Sequence, residues 1–164
     1  MSPKRSISPK EVENLLEEKK IYQIINPRLV QAPSSLSVKE AIDLMQKQRA
    51  GYIVIADNKK CVGIFTETDV LRKVLEQKVD VNRPVRDFMT PNPVCLKMED
   101  SVGKAIETMG KYRLYHIPLV NEKGELVQVI SVRTLIRFLA EFYPAEVLNL
   151  PPDPNQVMKT PEGG

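Results

Sequence analysis

Thr66 and Asp69 put a hydroxyl and a carboxylate three residues apart, directly after the apolar run Cys61-Val62-Gly63-Ile64-Phe65. A Thr three residues before an acid caps the first turn of a helix, each side chain bonding the other residue's backbone N–H. A carboxylate is also acceptor-only and takes two donors at once. His116 is the one histidine of the chain, so imidazole chemistry rests on it alone, and no Ser/His/Asp arrangement is suggested. Its ordinary pKa lies near neutrality, where an imidazole responds to small changes of pH. Cys61 lies beside Val62 and Ile64 in sequence, and Cys95 lies between Val94 and Leu96. Neither belongs to a Cys-x-x-Cys pair. Two buried free thiols in a reducing compartment are expected, not a zinc or redox centre. No glycine-rich phosphate loop of the Walker or Rossmann type occurs. These absences argue against an enzyme and against a metal site.

The elements that hold these residues belong to a chain of 164 residues and 18.6 kDa, 42% apolar and 27% charged. That mix is ordinary for a globular protein long enough to bury a core without staples. Lys and Arg exceed Asp and Glu by 24 to 21, a net charge of +3. Such a balance does not by itself point to a nucleic acid or a membrane. In the first 20 residues Lys4, Arg5, Lys10, Lys19 and Lys20 offset Glu11, Glu13, Glu17 and Glu18, which suits a solvated helix better than a nucleic-acid arm. No apolar stretch follows Met1-Ser2-Pro3-Lys4-Arg5-Ser6, and no run approaches about 18 apolar residues. A cytoplasmic protein with no membrane partner is expected.

The chain repeats itself. Shifted by 64 residues, positions 27–59 align with 91–123, and eleven of the 33 pairs are identical, including Ser37, Val38, Ala41, Ile42, Met45, Arg49 and Ile53. One residue is inserted near Gly124, after which a shift of 65 pairs Val62 with Val127 and Arg72 with Arg137. Each repeat carries a Pro-bounded extended piece (28–31; 92–95), then a helix. Ser37 and Glu40 form a capping-box pattern; Ser101 keeps the cap, but Lys104 cannot complete the box. A β-branched strand follows (Tyr52-Ile53-Val54-Ile55; His116-Ile117-Pro118-Leu119-Val120), then a turn and a second strand (61–65; 126–130). A last helix starts at Thr66 or Ser131. Two β-α-β-β-α units of an α+β fold packed sheet to sheet are expected. Ser8 and Glu11, with Pro9 at the first turn, start a helix before them that runs to about Lys20. The division is 1–21 for an N-terminal segment and helix, 22–80 and 81–143 for the repeats, and 144–164 for a Pro-rich, extended tail.

Residues 22–142 resemble a tandem pair of cystathionine-β-synthase (CBS) domains, the unit called a Bateman module. The resemblance rests on Gly63-Ile64-Phe65-Thr66-Glu67-Thr68-Asp69 as the family's Gly-apolar-x-Thr/Ser-x-x-Asp junction, Met89-Thr90-Pro91 as a repeat opening, and 116–120 as its middle strand. It implies a pseudo-twofold module, often a homodimer, with clefts between the sheets that bind adenosine-containing ligands such as AMP, ATP or S-adenosylmethionine. Asp69 would then accept from the two ribose hydroxyls, with Thr66 beside it and Gly63 and Ile64 allowing close approach. The base would lie near Val30, Gln31, Tyr52, Ile53 and Val54; Tyr52 either stacks or is core. The phosphates would meet Arg113, Tyr115 and His116, with Ser131 and Arg133 from the second junction, although His116 also fits an ordinary surface or core position. In the second repeat Gln128 and Thr134 replace Gly63 and Asp69, so that site is expected to be weak, altered or empty, leaving one ligand per chain. A regulatory binding module acting in trans on a protein partner, or through its own assembly, is the first expectation. An oligomerising scaffold with a degenerate cleft is the second.

Overall fold

The computed structural model describes residues 7–142. The expected Pro-rich tail at 144–164 lies outside the described residues. Helix α1 (Pro9–Glu18) begins at the anticipated box, with Ser8 and Glu11 bonding each other's backbone N–H. The first repeat then runs β1 (Gln31–Ala32), α2 (Val38–Gln48), β2 (Tyr52–Asp57), β3 (Lys60–Thr66) and α3 (Glu67–Asp69). The coil after α3 widens over Val70–Leu75, where the Glu76 N–H reaches back five residues to the Leu71 carbonyl. Strand β4 (Thr90–Pro91) leads into the second repeat of α4 (Val102–Tyr112), β5 (His116–Val120), β6 (Leu126–Ser131) and α5 (Val132–Ala140).

The two halves superpose by the shifts read from the sequence. Tyr52 pairs with Thr66 as His116 pairs with Ser131, and both hairpins break register at equivalent points, after Ile55 and after Leu119. Helices α2 and α4 both end on an arginine in the left-handed region, Arg49 (φ 49°) and Arg113 (φ 54°).

The opening strands depart from expectation. The first falls at 31–32, parallel to β2, where the Val54 N–H donates to the Val30 carbonyl. The second is reduced to a single parallel bridge, Leu96 to Leu119. The position equivalent to Val54 is Pro118, which has no N–H to offer the segment entering beside it. One sheet therefore has four strands in the order β1-β2-β3-β4, and the other is the hairpin β5-β6.

Each repeat is completed by the segment that precedes the other. Ile21, fully buried, sits with Leu96, Val102, Ile117, Leu119 and Ile130 in the second core, with Ile24 and Ile25 against it. Its counterpart Val85, with Phe88, sits with Ile53, Val54, Ile55 and Phe65 in the first core, and Met89 packs against it. The backbone repeats the exchange: the Ile21 N–H donates to the Asp100 carbonyl (3.0 Å) and the Val85 N–H to the Leu36 carbonyl (2.7 Å). Burying each such side chain stabilises by about 1.5–3 kcal/mol.

Candidate functional site

The two strand-to-helix junctions occupy equivalent places and have different contents. At the first, Thr66 caps α3: its hydroxyl accepts from the Asp69 N–H, and its own N–H and hydroxyl donate to Asp69 Oδ2 (2.9 and 3.0 Å). The other carboxylate oxygen, Oδ1, faces the Lys73 ammonium at 2.7 Å and accepts from the Thr90 hydroxyl at 3.4 Å. Lys73 is held in turn by the Phe88 carbonyl at 2.9 Å. Asp69 is buried, and every acceptor direction it has is met from within the chain. Gly63 lies under Met89: a Cβ at position 63 would collide with the Met89 Sδ. The missing side chain makes room for Met89 of the incoming repeat.

At the second junction Ser131 accepts from the Thr134 N–H (3.2 Å), and the two hydroxyls share a further bond. Gln128 replaces Gly63, and the smaller reach of Ile25 replaces Met89. Asn26 stands where Thr90 stands and, with its amide oriented to suit its neighbours, accepts from the Arg137 guanidinium at 3.1 and 3.2 Å.

On this second side a cavity of about 790 Å³ opens between the repeats. Its wall carries Arg28 from the opening segment, Arg49 from the end of α2, and Arg133 and Arg137 from α5. Glu67 is the one carboxylate among its lining residues. Tyr52 and His116, equivalent by the 64-residue shift, meet face to face across the pseudo-axis, ring centroids 4.5 Å apart and planes tilted by 35°. The Tyr52 hydroxyl donates to the Arg28 carbonyl at 3.2 Å, and burial pushes its pKa up, so it stays a donor. Burial drives the His116 imidazole down to about 4. The ring is therefore neutral near pH 7, and the expected titration near neutrality gives way to desolvation. Tyr115 stands at the rim, 72% exposed.

Of the residues anticipated from the sequence, the cavity gathers Tyr52, Tyr115, His116, Ser131 and Arg133. Gly63, Thr66 and Asp69 lie at the other junction. Val30, Ile53 and Val54 are in the first core and Ile64 is buried, so their side chains brace the sheet. Gln31 is exposed on β1. Arg113 caps α4 and is absent from the lining. Arg28, Arg49 and Arg137 were missed. Arg49 repeats as Arg113 and Arg137 as Arg72, a conspicuous signal once identical charged pairs in a repeat are asked what they face.

Two hydrophobic cores, exchanged openings and a cleft between the repeats define a paired-repeat module. The CBS domain family matches residues 21–76 and 85–141, and the chain belongs to that family as a tandem pair. Among solved structures it is similar to a CBS domain protein of Pyrobaculum aerophilum complexed with AMP, at 26% identity and a TM-score of 0.69, covering 75% of this chain and 97% of that one. An uncharacterized conserved protein of Pyrococcus horikoshii matches at 27% and 0.69, over 75% and 93%. The inosine-5'-monophosphate dehydrogenase of Aquifex aeolicus is 31% identical over 116 residues, 70% of this chain but 23% of that enzyme. Among the described residues no helix is long and apolar enough to cross a membrane.

Proposed function

We propose that the chain is a regulatory module, not a catalyst, that binds one adenosine nucleotide per chain in the cavity on the Ser131 side, the reverse of the sequence expectation that this side is the weak or empty one, because Lys73 and Thr90 already engage Asp69 at the other. The observation that carries this reading is the arginine wall. Four arginines from three separate elements line one cavity, with Glu67 the single carboxylate among its lining residues, which suits a phosphate chain. The rings of Tyr52 and His116, with Val129, form the apolar part that takes a base. The AMP bound to the Pyrobaculum aerophilum relative supports an adenosine ligand for this chain. The signal passes in trans to a cytoplasmic protein partner or through a homodimer. Leu71 and Ile136, equivalent by the 65-residue shift and exposed with Leu75, suit the dimer face.

Calorimetry with AMP, ATP, S-adenosylmethionine and adenosine on the full chain tests this reading. One site per chain is expected. Arg133→Ala should weaken ATP about tenfold or more, since a charge-assisted hydrogen bond contributes about 1.5–3 kcal/mol, while adenosine changes little. Two equal sites, or equal loss for ATP and adenosine, would overturn it. The scaffold reading has its own support in Asp69, whose carboxylate is already met by Lys73 and Thr90. A thermal shift separates the two, because a ligand at 100 times its dissociation constant stabilises by about 2.7 kcal/mol; a scaffold shows no shift with any adenosine compound.

A further inference from the structure

Glu67 is the one acidic residue in the lining of a cavity that also holds Arg28, Arg49, Arg133 and Arg137. It opens α3, and its N–H donates to the Gly51 carbonyl at 3.1 Å, one step beyond the Tyr52–Thr66 pair of the first hairpin. The second hairpin has the same corner beyond its His116–Ser131 pair, where the Val132 N–H donates to the Tyr115 carbonyl at 2.9 Å. All four corner residues line the cavity, and their contents differ. Tyr115 and Val132 bring an aromatic ring and a branched side chain. Gly51 brings no side chain, and the Glu67 carboxylate takes that space: a Cβ at position 51 would lie 2.9 Å from Glu67 Oε2 and 3.1 Å from its Cδ. Among the described residues no hydrogen bond or ion pair engages this carboxylate, whereas Asp69 has every acceptor direction met.

We infer that Glu67 determines the sugar specificity of the cavity: its carboxylate accepts from the 2′- and 3′-hydroxyls of a ribonucleoside, while the arginines take the phosphate. The inference rests on the nucleotide reading given above and assigns one more contact to that ligand. A guanidinium only donates, which suits phosphate oxygens and leaves a vicinal diol without an acceptor. A carboxylate only accepts and takes both donors of the diol at once. The other polar groups of the lining are engaged. The Tyr52 hydroxyl donates to the Arg28 carbonyl, and Asn26 accepts from Arg137. Thr134, at the place equivalent to Asp69, offers one hydroxyl, already shared with Ser131 at 3.2 Å. The second junction lost its own carboxylate, and the first repeat supplies one from the neighbouring corner. A 2′-deoxyribonucleotide in the same place leaves part of that acceptor capacity unmet, so the module favours ribonucleotides.

Calorimetry on the full chain with AMP and 2′-deoxy-AMP is the test. The two share base and phosphate, so the ratio of their affinities reports the sugar alone. The ratio also cancels any common gain from removing a negative charge among the arginines. The native chain should prefer AMP about tenfold or more, as expected for a hydrogen bond to a charged group. Glu67→Ala should bring the ratio to about one. Gly51→Ala keeps the charge but displaces the carboxylate, and position 51 is outside the left-handed region, so the backbone accepts alanine. It should lower the ratio as well. A native ratio of about one, a ratio that survives either substitution, or a ratio lost in Thr134→Ala but kept in Glu67→Ala would overturn the role of Glu67. In each of these cases AMP still binds and the nucleotide reading stands. A native chain that binds neither nucleotide would overturn both.

Discussion

His116 shows how position decides the chemistry of a side chain. As a residue type it is a titrating base; against Tyr52 it is a neutral aromatic surface with a pKa of about 4. Between pH 6.5 and about 4 the unfolded chain therefore takes up a proton that the folded chain does not. Stability from this group is complete above 6.5 and is lost as pH falls toward 4, by about 2–3 kcal/mol. His116→Phe, which keeps a ring on Tyr52, should flatten that loss in urea midpoints taken at pH 4.5 and 7.5. A variant as acid-sensitive as the native chain would contradict it. Residue types near the cleft were readable because repeat alignment put Tyr52 and His116 in one register. The engagement of Asp69 was legible only in part: Lys73 lies at the i,i+4 spacing of a helical ion pair, whereas Thr90 arrives from the next repeat, which no local spacing reveals.

At the scale of elements, the caps were the best-read features. Ser8, Ser37, Thr66, Ser101 and Ser131 all stand where the sequence places helix starts. The box at Ser37 has both reciprocal bonds, whereas Ser101 accepts only from the Lys104 N–H. The ionised Glu40 is favoured by its bonds to Ser37, which hold its carboxyl below the ordinary value. Ser37→Ala, which removes the hydroxyl's bonds to the Glu40 carboxylate and N–H, should therefore cost about 1–2 kcal/mol and Ser101→Ala about half that, measured by urea unfolding; equal costs would show that the bond from the Ser37 hydroxyl to the Glu40 carboxylate contributes nothing. Strand boundaries were read less well. The second opening strand fails because of Pro118, a residue on its partner, and strand pairing depends on both partners' donors.

For the whole molecule, the two-repeat plan is visible in the self-alignment, but the exchange of core segments is not. A repeat unit defined by sequence similarity says nothing about which copy its first residues pack into. The exchange predicts a crossed response. Ile21→Ala, at a fully buried position, should cost about 2–5 kcal/mol. It should raise hydrogen exchange in β5, β6 and α4, far along the chain, and leave β2 and β3 protected. Phe88→Ala should do the reverse. Loosening of the sheet nearest in sequence would refute the exchange. The same exchange orders events in time. During synthesis at about 5–20 residues per second, Ile21 leaves the ribosome about 6 to 23 seconds before Phe138, with which it shares a core. Throughout that interval an apolar hook waits without its socket. The last-made residues of the second core close over a residue made before the whole first repeat, so folding of the second half finishes by reaching back across it.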